Sequence, residues 1–142
     1  MERILIGATP RNGAFAALTR AISLARRIGA KVHVLFVTPP PGPDGRPGPG
    51  TDGDGARLRL MVQRAQEQGV GIEYFVSEGG YEEEVIRFAR DRKITLLVAE
   101  SADGEGRPAE AQSLKRILHG ISCRVELVSP RRSETQTQGE AT

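Results

Sequence analysis

Three carboxylates crowded into one short stretch offer the clearest chemistry in this sequence. Glu100, Asp103 and Glu105 lie within ESADGEGRP, directly after the apolar run ITLLVA. Asp103 and Glu105 could bridge a magnesium ion, but a pair of acids in a glycine-containing turn is also ordinary surface chemistry. Other reactive side chains stand alone. Ser101 and Ser113 have no base at motif spacing, and His119 falls at a helix end where a cation is favourable without any further role. Cys123 opens a strand and does not face a helix amino terminus, so a packing role is expected for it. His33 lies inside an apolar segment with no second metal ligand near it. No catalytic residue and no metal site is expected, and the chain reads as a non-enzyme.

Composition narrows the partners. The 142 residues carry 27% charged side chains but a net charge of only +2, and aromatic content is 4%. The basic residues are nearly all arginine and are spread along the chain, without the dense or aromatic-interleaved runs that nucleic acids select. No apolar run approaches the ~20 residues that span a bilayer. A single cysteine precludes an internal disulfide, and MERILIGAT enters a strand without a cleavable leader, so a cytoplasmic location is expected, with no nucleic acid and no membrane insertion.

The elements that position these residues alternate regularly. Arg3 to Ala8 is a continuously apolar run, which suits a strand buried on both faces. After the turn TPRNG, helical spacing from Gly13 places Leu18, Ala21, Ile22, Ala25 and Ile28 on one face, with Gly29 as the stop. Lys31 to Thr38 is the second strand. Residues 39–55 hold six of the nine prolines and six of the seventeen glycines. They have little to bury and read as a solvated insertion. A helix follows from Ala56 to Gln68, with Leu58, Met61, Val62 and Ala65 inward. A half-exposed edge strand follows from Val70 to Ser77, with Ile72, Tyr74 and Val76 on one face.

Tyr81 to Lys93 begins with Glu82, Glu83 and Glu84 and ends with Arg90, Arg92 and Lys93, the charge order that a helix dipole favours. Val85, Ile86 and Ala89 form its inner side. Ile94 to Ala99 is the fourth strand. Pro108 suits a first helical position, and Ala111, Leu114, Ile117 and Leu118 line a helix that ends at His119 and Gly120. Cys123 to Val128 is the fifth strand, and residues 130–142 form a polar tail expected to be disordered. Residues 1–129 therefore make one α/β domain. Strand and helix alternation of this kind predicts an open parallel sheet with helices on both faces, and a ligand crevice at the carboxyl ends of the strands where the winding reverses.

These segments resemble the universal stress protein family. The similarity lies in RILIGATP leading into a helix that closes with LARRIGAKVHVLFVTPP, in YFVSEGGYEEEVIRFARDRKITLLVAES, and in SLKRILHGISCRVELVS. It implies a Rossmann-like fold of the adenine nucleotide alpha hydrolase-like type, a five-stranded sheet in the order 3-2-1-4-5, and a crevice between strands one and four. The residues it places at that crevice are Thr9, Asn12, Gly13, Val37, Glu100, Ser101 and Gly104. It also implies a homodimer paired through the fifth strand, at Arg124, Val125, Glu126, Leu127 and Val128, and an unknown protein partner.

Nucleotide-binding members of the family carry a loop after strand four reading Gly, two residues, Gly, nine residues, Gly, then Ser or Thr, whose amides approach phosphate. This chain departs at every glycine. Glu100 or Ser101 stands at the first, Asp103 or Gly104 near the second, and Ala111 and Gln112 at the last Gly and the Ser or Thr. Thr9 replaces the aspartate that follows strand one. Arg107, Lys115 and Arg116 read as helix-surface charges. The expectation is a stress-response or regulatory protein that has no cofactor and does not bind ATP in the standard way, acting through protein contacts. The alternative is a small-molecule or nucleotide-sensing module like the stress-protein domain of potassium-responsive sensor kinases or transporters. An adenine-nucleotide hydrolase ranks last.

Overall fold

The computed structural model describes residues 2–10, 12–40, 53–101 and 108–129. Asp103, Gly104, Glu105 and Arg107, the prolines and glycines of 41–52, and the tail from Pro130 lie outside them.

Five strands and four helices alternate as expected. The order is β1 (Arg3–Ala8), α1 (Phe15–Ile28), β2 (Lys31–Thr38), α2 (Gly53–Glu67), β3 (Ile72–Glu78), α3 (Tyr81–Asp91), β4 (Leu96–Glu100), α4 (Pro108–Gly120) and β5 (Arg124–Val128). The strands form one sheet in the order β3-β2-β1-β4-β5, and every pair is parallel. The chain winds outward from β1 to β3 and then returns past β1 to β4, so the direction reverses between β1 and β4.

Each face of the sheet has its own core, as the two-residue period of a strand requires. On one side Ile4, Ile6 and Ala8 pack with Val34, Phe36 and Val98 under α1 and α2. On the other side Leu5, Leu35, Val37 and Leu97 pack with Val85, Ala89 and Ile117 of α3 and α4. The central strands are buried on both faces, which is why they read as continuous apolar runs.

Several boundaries and faces differ from the sequence reading. α2 starts at Gly53, three residues before Ala56, and so takes in the end of the stretch expected to be an insertion. β4 starts at Leu96 because the Ile94 amide is still bonded to the Ala89 carbonyl behind α3, and it runs on to Glu100. Glu100 is therefore the last strand residue and not part of a loop. Ile28, at the turn into β2, is 57% exposed, Leu118 is 42% exposed, and Val76 is 62% exposed although Ile72 and Tyr74 beside it pack under α2. β3 is an edge strand, as its weaker apolar pattern indicated. Among the described residues no helix is long and apolar enough to cross a membrane.

Candidate functional site

Topology opens a cleft at the point of reversal. β1 pairs with β2 over all six of its residues, from Arg3↔Lys31 to Ala8↔Phe36. With β4 it pairs only at Ile4↔Leu96 and Leu5↔Leu97. Beyond those two pairs the carboxyl halves of β1 and β4 part, as expected at a switch point. Three segments surround the opening: the β1–α1 turn, the end of β4, and the start of α3.

The β1–α1 turn closes on itself. The Thr9 amide donates to the Asn12 carbonyl at 2.8 Å, and the Asn12 amide donates to the Thr9 carbonyl and to Thr9 Oγ1 at 3.1 and 3.0 Å. Asn12 Oδ1 accepts from the Ala14 amide at 3.0 Å. Ala14 then takes a left-handed conformation, φ 55°, so that α1 can start. Gly13 is buried under the ring of Phe15. A Cβ at residue 13 would lie 2.4 Å from Phe15 Cζ, so any larger residue here would displace the ring that covers the backbone. The Arg57 guanidinium stacks 3.9 Å above the same ring. Thr9 and Asn12 thus use side-chain oxygens to hold the turn.

The end of β4 bonds to the start of α1. Ala14, the N-cap residue, has no side chain able to accept from the first free amides of the helix. Glu100 supplies that acceptor from 84 residues away. Its Oε2 accepts from the Ala16 amide at 2.9 Å and from the Ala17 amide at 3.4 Å. The carboxylate also meets the positive end of the helix dipole. Ser101 donates its amide to the Val128 carbonyl at 2.7 Å, which ties β4 to β5.

On the opposite face the opening is filled from α3. Tyr81, the first residue of that helix, donates its hydroxyl to the Gly7 carbonyl at 3.2 Å. Loss of water around the hydroxyl, aided by the charges of Glu82 and Glu100, pushes its pKa up to about 12, so it is the neutral donor. Val37 is 2% exposed in the core on this same face.

Beside the cleft an open groove of about 800 Å³ runs along α1 past β5. Phe15, Arg20, Arg57, Met61, Ser101 and Leu127 line it. Arg20 Nε is 2.5 Å from Glu126 Oε2, a part-exposed pair linking α1 to β5.

The fold therefore gathers Thr9, Asn12, Gly13, Glu100 and Ser101 around one opening, while Val37 is sealed in the core and Gly104 lies outside the described residues. Sequence reasoning passed over Gly7, Phe15, Arg57 and Tyr81. A glycine inside an apolar strand is a signal of close approach by another group, and Gly7 carried that signal.

The remaining reactive candidates occupy other places. His119 Nδ1 lies 3.0 Å from the Lys115 carbonyl within α4. Cys123 packs beside Leu97 and Ile117, and burial pushes its thiol pKa up. His33 is buried between Phe75 and Phe88, with Nδ1 3.3 Å from the Ile4 carbonyl, and burial lowers its pKa. Glu84, one of the three acids opening α3, accepts a short hydrogen bond from Ser77 and pairs with Arg87 at 3.1 Å. Among the described residues no three His, Cys, Asp or Glu side chains converge to hold a metal.

A family model, the universal stress protein family, matches residues 1–128. The chain belongs to this family. Solved structures of its members share the fold at low identity. The universal stress protein UspA from Lactobacillus plantarum is 19% identical with a TM-score of 0.68, over 89% of this chain and 97% of that one. A family protein from Burkholderia pseudomallei is 22% identical with a TM-score of 0.64, over 89% and 95%. A family protein from Arabidopsis thaliana, solved with AMP bound, is 15% identical with a TM-score of 0.62, over 97% of each chain. No curated protein matches the chain.

Proposed function

We propose that this universal stress protein is a regulatory member of its family that does not take ATP in the standard way at the β1/β4 cleft and acts through protein contacts. The observation that carries this reading is the bond from the Glu100 carboxylate to the Ala16 and Ala17 amides. An anion already occupies the helix terminus nearest the opening, and it belongs to the protein. A phosphate brought within about 4 Å of that carboxylate meets a repulsion of about 4 kcal/mol at an effective dielectric near 20. The AMP of the Arabidopsis relative belongs to a protein only 15% identical, so it does not transfer to this chain by likeness alone.

In this reading the protein is not an enzyme and works in the cytoplasm. It is a homodimer through β5, whose outer edge carries no strand partner among the described residues and whose Leu127 is 49% exposed. An unpaired strand edge of this kind favours controlled pairing over uncontrolled association. Isothermal titration of ATP into the purified protein, with and without magnesium, tests the central claim. No saturable heat is expected in either case, and a micromolar isotherm would end this reading.

The groove along α1 favours a second reading, a small-molecule or nucleotide-sensing module. It offers an apolar floor at Phe15 and Met61 and guanidinium groups at Arg20 and Arg57. A thermal-shift screen separates the two readings, because a ligand at 100 times its Kd adds about 2.7 kcal/mol of stability.

A further inference from the structure

Tyr81 fills room that β1 leaves empty. Residues 5 and 7 of β1 face α3 and α4, and Gly7 brings no side chain to that face. A Cβ built on Gly7 would lie 2.8 Å from the Tyr81 hydroxyl oxygen, 3.3 Å from its Cε1 and 3.1 Å from Val85 Cγ2. The phenol ring therefore takes the volume that a side chain at residue 7 would need. It does so beside the part of β1 that has lost its pairing with β4. Its one polar atom is satisfied by the Gly7 carbonyl. The loop Gly79–Gly80 leads straight into Tyr81, and the Gly79 amide is tied to the Thr38 carbonyl at 3.0 Å, so the ring enters from a fixed point on the neighbouring strand.

We propose that Tyr81 is a built-in aromatic occupant of the β1/β4 cleft and determines what the cleft admits. The wild-type chain excludes a planar ring from the α3 side, and a small residue at position 81 converts that volume into a site for a phenol-like ring whose hydroxyl reaches the Gly7 carbonyl. This deepens the function proposed above, since it concerns the same cleft, but it rests on packing and one hydrogen bond and not on the charge of Glu100. An apolar void left by a large side chain stays open to aromatic probes when its walls do not collapse.

The test compares p-cresol, which reproduces the tyrosine side chain, with toluene, which lacks the hydroxyl. Calorimetry and thermal shift are read on wild type and on Tyr81→Ala. The Tyr81→Ala protein is expected to bind p-cresol and to be stabilised by it, toluene is expected to bind about fivefold more weakly for want of the hydrogen bond, and wild type is expected to bind neither. A folded Tyr81→Ala protein that ignores p-cresol, or that binds both probes equally, overturns the proposal.

Should Tyr81→Ala not fold, a double-mutant cycle serves. A methyl at residue 7 collides first with the Tyr81 oxygen, so Gly7→Ala should lower stability less in a Tyr81→Phe background than in wild type. Equal losses in the two backgrounds overturn the proposal. ATP binding by wild type would remove the function proposed above and leave these two outcomes to decide the role of Tyr81.

Discussion

Glu100→Ala isolates the contact between β4 and α1. The substitution removes the only side-chain acceptor on the Ala16 and Ala17 amides among the described residues and leaves Ala14 unable to replace it. Loss of an N-cap acceptor costs about 1 kcal/mol, and loss of a carboxylate from a helix amino terminus adds about 0.3–1 kcal/mol. The expected destabilisation is about 1–2 kcal/mol, or about 3–8 °C in Tm for a domain of this size. Glu100→Gln, which keeps one acceptor oxygen and loses the charge, should fall between the variant and wild type.

Urea unfolding followed by circular dichroism measures these losses directly. A second reading comes from sulfate. With the carboxylate gone, the α1 terminus becomes open to an external anion, so sulfate should stabilise Glu100→Ala more than it stabilises wild type. General salting effects act on both proteins and cancel in that difference. A loss below about 0.3 kcal/mol for Glu100→Ala, with equal sulfate response in the two proteins, would show that Glu100 does not cap α1, because a genuine cap falls outside the ordinary scatter of surface substitutions.

Three further outcomes follow from the same contacts. Burial lowers the His33 pKa from 6.5, so the unfolded chain binds the proton more readily; stability is complete above pH ~6.5 and falls as the pH drops from there toward the folded value, and His33→Phe should flatten that slope in urea midpoints taken from pH 7.5 to 5. Arg20→Ala should cost less than about 1 kcal/mol by urea unfolding, since the Arg20–Glu126 pair is part-exposed, at 38% and 32%. Sedimentation velocity should find a dimer, and Leu127→Lys should shift it to monomer; a wild-type monomer at micromolar concentration would remove β5 as an interface.

How much of this could be read from the residues depends on where the information lies. The strands β1, β2 and β4 are buried on both sides, so their runs of Ile, Leu and Val announce them without ambiguity, and the family resemblance then implies the reversal between β1 and β4. The cleft itself was therefore legible. What fills it was not, because the partners are far apart in the chain: Glu100 and Ala16 are separated by 84 residues, and Tyr81 and Gly7 by 74. Glu100 read as an acid in a loop because the apolar run that marks the strand ends at Ala99, one residue before it. Gly13 read as the point where helical spacing begins and Phe15 carried no signal, and only their folded distance makes one the cover of the other. Exposure of Val76, Ile28 and Leu118 escaped periodicity for a related reason. A helical or strand period says which residues share a face, but it does not say where the opposing layer ends.

The two contacts at the cleft act from opposite sides of the sheet. Glu100 shares the alternation of Leu96 and Val98, so it faces α1, while Gly7 shares that of Leu5 and faces α3. The α1 side offers free amides and a positive dipole, which only a negative acceptor answers well. The α3 side offers a missing side chain and one carbonyl, which a neutral ring with a single donor answers well. The residues present supply these two chemistries, a carboxylate and a phenol held in its protonated form. In the function proposed above, these two groups stand in for the anion and the planar ring that a nucleotide would bring. Fold and site thus separate in this chain: the topology provides the opening, and two side chains contributed by distant segments bond to the strands and helix around it.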